Sequence, residues 1–155
     1  MGVAVFYHLT QSTVAQTAAV ILPRALAADW RVMLRGTETG ALESLDMALW
    51  QGDDSFLPHG LAGGEYDAEQ PVLIGTGAIG NTARALMLVD GAETDPAEAA
   101  DLERVWVLFD GYDDAALTRA RGLWTRLTAA GLAAQYWSEE SGRWEKKSEK
   151  PARVV

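Results

Sequence analysis

The sequence predicts a three-layer α/β/α domain built on a mainly parallel sheet of about five to six strands. Short runs rich in β-branched and aromatic residues alternate along the chain with stretches of helical spacing, the pattern of strand–helix–strand units. Such units place helices on both faces of a sheet. The length of 155 residues fits one domain, and 48% hydrophobic with 23% charged residues is ordinary globular composition.

Val3 to Leu9 (VAVFYHL) suits a buried first strand. Thr10 or Ser12 can cap a helix from about Val14 to Ala28, with Pro23 expected to kink or interrupt it. Arg31 to Leu34 reads as the second strand. Thr37 or Thr39 opens a helix carrying Leu42, Leu45, Met47, Leu49 and Trp50, and Gly52 ends it. The long connection from Gln51 to Gln70 exceeds what compact domains usually leave without structure, a sign of function or mobility. Pro71 to Ile74 and Ala85 to Val89 are the next strands, followed by a short helix from Asp95 or Pro96 and a strand at Arg104 to Phe109. Asp113 caps a long helix to about Ala130, closed by Gly131. Ala133 to Trp137 completes the set. Residues 1–147 are thus expected to form the domain, with 148–155 a loose tail.

Charge and composition exclude several functions. The chain has no cysteine, which removes disulfides, thiolate catalysis and cysteine-ligated metals. No run approaches the ~18 apolar residues of a membrane span, and no basic secretory start is present, so a cytoplasmic protein is expected. The net charge of −9 argues against direct nucleic-acid binding. That charge is uneven. Residues 1–103 hold four Lys/Arg against fifteen Asp/Glu, and residues 104–155 hold nine against seven. The basic groups therefore gather where they can meet an acidic partner.

Chemically suggestive motifs are few. Gly75, Gly77 and Gly80 form a GxGxxG after a strand, the basis of an alternative reading as a nucleotide-binding domain. The motif follows the third strand rather than the first, and the segment after it looks unlike an amphipathic helix. His8 lies in a strand and His59 in the long loop, and neither has a triad or metal spacing around it. Trp50, Phe56, Leu57 and Pro58 either fold over the core or anchor another protein. On the last long helix, Ala116, Leu117, Ala120, Leu123 and Leu127 make the buried face. Arg121, Trp124, Thr125 and Thr128 form a stripe at its margin, where a guanidinium beside an indole can hold a peptide that ends in an apolar residue and a free carboxylate. Arg119 and Arg126 project to the opposite side, as solvated charges.

Several segments together resemble the chi subunit of bacterial DNA polymerase III. They are FYHLT (Phe6–Thr10), DMALW (Asp46–Trp50), SFLPHGLAG (Ser55–Gly63), QPVLI (Gln70–Ile74), the set Ala120, Arg121, Trp124, Ala130 and Gly131, and YWSEESGRWEKK (Tyr136–Lys147). The resemblance implies a non-catalytic clamp-loader accessory subunit, Rossmann-like but without a nucleotide site, cofactor or metal. Such subunits link the polymerase assembly, through a small psi partner, to the acidic C-terminal tail of single-stranded DNA-binding protein. By that resemblance Arg121 matches the tail-binding arginine and Trp124 an aromatic of the same pocket. Trp50 and Phe56 match the psi-facing surface, with Pro58 beside them. Thr125 stands where the family carries a lysine, a charge that Lys146 or Lys147 would have to supply.

Overall fold

The computed structural model describes residues 2–51 and 57–153. Its strands are β1 (Val3–Leu9), β2 (Val32–Arg35), β3 (Gly60–Leu61), β4 (Val72–Gly75), β5 (Ala85–Leu88), β6 (Arg104–Asp110), β7 (Ala133–Ser138) and β8 (Glu145–Lys150). The helices are α1 (Val14–Ala27), α2 (Thr39–Trp50), α3 (Pro96–Ala100) and α4 (Asp114–Ala129). One sheet holds all eight strands in the order β3-β4-β2-β5-β6-β1-β7-β8. Every neighbouring pair is parallel except β7 with β8. The architecture is the expected α/β one, with more strands than the sequence discloses.

The chain leaves β1 in one direction across the sheet, through α1 and α2, then returns and continues the other way through β5, β6 and β7. Right-handed crossovers put connections of opposite direction on opposite faces. One core cluster accordingly joins Leu22 of α1 and Leu42, Leu45 and Leu49 of α2 to Val5, Leu34 and Ile74 of the sheet. The other joins Ala99 of α3 and Ala120, Leu123 and Leu127 of α4 to Phe6, Leu86 and Val107. The middle strands are apolar on both faces because both are covered.

Local chemistry sets the element ends. α1 is capped by Thr13 rather than by Thr10 or Ser12, because Thr13 and Gln16 form a reciprocal capping box that neither Thr10 nor Ser12 can make with this spacing. Pro23 lies within α1 on its exposed side, where the lost N–H is cheapest. α2 has Glu38 at its N-cap position, since the Thr37 hydroxyl turns away to donate to Asp90. That helix ends at Trp50, and Gly52 lies outside the described residues.

Two strands escaped the sequence pattern. β3 is a two-residue graft onto β4 within the long connection, which is further ordered by Asp67 accepting the Gly63 and Gly64 amides. β8 corrects the expected tail. Ser148–Lys150 continue a strand paired antiparallel with β7, and Arg153 donates to the Thr128 and Ala129 carbonyls at the end of α4. The charges of EKKSEK hid this strand, because an edge strand open to water needs no apolar face.

Candidate functional site

α4 is positioned by its N-cap, where the Asp113 carboxylate accepts the Ala115 and Ala116 amides at 2.9 and 3.2 Å. Its buried face is Ala116, Ala120, Leu123 and Leu127, with Leu117 half-buried at the edge. The stripe of Arg121, Trp124, Thr125 and Thr128 lies along one margin, as the spacing expects. The Trp124 ring meets Phe6 edge-on at 5.3 Å between centroids and Tyr136 at 6.1 Å. Tyr136 in turn contacts His8 and Phe109, each at 6.0 Å.

Arg121 is exposed and makes no ion pair among the described residues. Its charge is nonetheless felt by Tyr136. Burial pushes the Tyr136 hydroxyl above its usual range, the Arg121 guanidinium opposes that rise, and Glu140 adds to it. Tyr136 thus belongs beside the stripe, a residue that the helix pattern alone misses. The strand register puts it there: Phe6 pairs with Tyr136 across β1 and β7, so both project to the α4 face. The Thr125 and Thr128 hydroxyls donate back to the Arg121 and Trp124 carbonyls at 3.0 and 2.8 Å. They shape the stripe more than they supply donors to it. Lys146 and Lys147 each lie against an acidic neighbour, Glu149 at 3.2 Å and Glu145 at 3.6 Å.

The other α4 arginines are not simply solvated. Arg126 pairs with Glu93 at 2.9 Å, and Arg119 lies across Gly91, whose φ of 76° favours glycine.

The second group of expected site residues separates. Trp50 is 49% exposed and its ring lies 4.1 Å from His59, between centroids. Pro58 is half-buried, and Phe56 lies outside the described residues. Leu57 turns inward to join Leu42, Leu45 and Leu49, so it is core rather than docking surface. His59 explains that turn. Its Nδ1–H donates to the Leu57 carbonyl at 2.7 Å and its Nε2 lies 3.3 Å from the Asp46 carboxylate, which latches the loop to α2.

No helix follows the glycines at 75, 77 and 80; residues 76–84 are bends and irregular chain. The Gly77 carbonyl accepts from Arg35 Nε at 2.9 Å, and the same guanidinium grips the Glu98 carboxylate at 2.7 and 2.9 Å. A loop that turns a carbonyl to an internal cation does not cradle a phosphate. The amides after the first strand are occupied too. Glu139, 5% exposed, accepts the Thr10, Gln11 and Ser12 amides at 3.0, 2.8 and 2.6 Å and the Ser12 hydroxyl at 2.8 Å. Burial raises its pKa, but these four bonds outweigh burial and hold it below the ordinary value. His8 stacks on Phe109 at 5.4 Å with Nδ1 3.2 Å from Glu140, a structural setting. Among the described residues no cluster of His, Asp and Glu could hold a metal, and no helix is long and apolar enough to cross a membrane.

No curated protein sequence matches the chain. The family described as DNA polymerase III chi subunit, HolC, does match, over residues 1–135. That span runs from β1 through α4 into β7 and includes both the Arg121 stripe and Trp50, and the chain therefore belongs to the chi subunit family of DNA polymerase III, an accessory subunit of the replicative polymerase.

Proposed function

We propose that the chain is a non-catalytic, cytoplasmic replisome adaptor that links the clamp-loader assembly to single-stranded DNA-binding protein by holding that protein's acidic C-terminal tail. The carrying observation is the Arg121 guanidinium, exposed and without an ion pair among the described residues, beside the Trp124 and Tyr136 rings. A terminal carboxylate meets the guanidinium, and the adjoining apolar side chain lies on the aromatic rings. With Thr125 in place of a second cation the contact is modest, and a multivalent tail donor raises its effective strength. The Trp50 end of α2, with Pro58 and Phe56, docks a psi-like subunit or a helicase. DNA is reached through the tail donor, not directly.

A peptide ending in Asp-Phe, titrated by fluorescence anisotropy, tests the first site. Arg121→Ala should weaken binding about tenfold or more, the effect of removing a charge-assisted contact. Amidating the peptide's carboxyl end should do the same. Equal binding by wild type and Arg121→Ala would remove the proposed site.

A further inference from the structure

The opposite margin of α4 borders a different feature. Beyond the carboxyl ends of β5 and β6, α1 and α2 leave one face of the sheet while α4 leaves the other, and a cleft of about 470 Å³ opens between them. Its walls include Leu42, Leu45 and Ala48 of α2, Val89 after β5, and Ala120 and Leu123 of α4. A crevice at diverging connections is where doubly wound sheets take ligands, and this volume is within the usual range of binding sites.

The chemistry here is the reverse of the common anionic case. The amides leading into α1 are closed by Glu139, and the start of α4 is closed by Asp113. Asp90, Glu93 and Asp110 join Asp113 on the rim against one cation, Arg119. Glu93 pairs with Arg126, whereas Asp90, Asp110 and Asp113 have no cationic partner among the described residues. An anion entering this cleft meets carboxylates from two loops. A basic chain finds complementary charge on both. Of the three lysines of β8, Lys146 and Lys147 are paired with Glu149 and Glu145 and Lys150 has no large apolar residue beside it in sequence, so a second copy is a poor donor.

We infer that the cleft seats one or two large apolar side chains of a basic segment from a partner protein, with flanking Lys or Arg residues placed over Asp90 and Asp110. The site is distinct from the Arg121 stripe and selects the opposite charge.

The probe is a fluorescein-labelled peptide, Lys-Lys-Leu-Phe-Lys-Lys, compared with versions carrying glutamine or glutamate for every lysine. Saturable binding to wild type is expected, at least tenfold weaker for the glutamine peptide and undetectable for the glutamate one. Ala48→Trp fills the cleft and should weaken the basic peptide at least tenfold, with thermal melting as the folding check. Ser44→Trp, at an exposed lining position, serves if Ala48→Trp does not fold. Equal binding by a folded filled-cleft variant, equal binding of the glutamate peptide, or no saturable binding to wild type would overturn the inference.

Discussion

Arg121 and Arg126 occupy one helix, yet of the two only Arg126 has a carboxylate partner among the described residues, and both groups of that pair are about half exposed. A pair of that kind contributes under about 1 kcal/mol. Sequence spacing placed both arginines correctly but did not reveal Glu93, which arrives from a loop thirty-three residues earlier. Tyr136 was invisible for the same reason, since its neighbours come from β1, β6 and α4. Glu139 is the residue with the sharpest consequence. Glu139→Gln should cost about 2 kcal/mol in urea unfolding at neutral pH, because four bonds to a charged acceptor weaken together. Its folded pKa lies below the ordinary 4.5, so its contribution is complete above that value and is lost as pH falls through the lower, folded one. The difference between wild type and Glu139→Gln should therefore shrink in acid; a constant difference from pH 7 to pH 3 would contradict the charge-based account. Gly77 makes a quieter test. A Cβ there meets nothing within 4 Å, so Gly77→Ala should leave the melting temperature nearly unchanged.

At the level of elements, α4 was the most legible. Asp113, the apolar period and Gly131 announced its start, face and end, and the structure gives Asp114–Ala129 with Gly131 at a φ of 95°. Asp113→Ala should lower stability by about 1 kcal/mol, measured by urea unfolding, through loss of two capped amides. α2 was legible in its buried stripe but not in its cap, because Thr37 is drawn off by Asp90. β8 was illegible for a physical reason. Its pairing is supplied by the β7 backbone, with the Trp144 ring just before it set edge-on against Tyr7 at 5.3 Å, while its side chains are polar. Pattern-based reading finds elements that bury a face, and an outer strand buries little.

For the molecule as a whole, alternating strands and helices were enough to give the α/β class, and the resemblance agreed with the family found over residues 1–135. Strand order was beyond reach, because β5 inserts between β2 and β6 and only long-range contacts dictate that. The internal filling of the amides after β1, together with the Gly77 carbonyl turned to Arg35, predicts that NAD, NADP and ATP leave the melting temperature unchanged. A clear rise with any of them would restore the nucleotide-binding reading, since a ligand bound only by the native state must stabilise it. The position of β1 carries a consequence for biogenesis. Val3 pairs with Arg104 on one side and Ala133 on the other, so β1 leaves the ribosome before either of its neighbours and is among the last strands to be completed. Until the second half of the chain emerges, VAVFYHL has no lateral hydrogen-bonding partner in the native sheet. Nascent chains stalled before residue 104 should therefore be protease-sensitive and bound by chaperones, and release should track synthesis of β6 and β7.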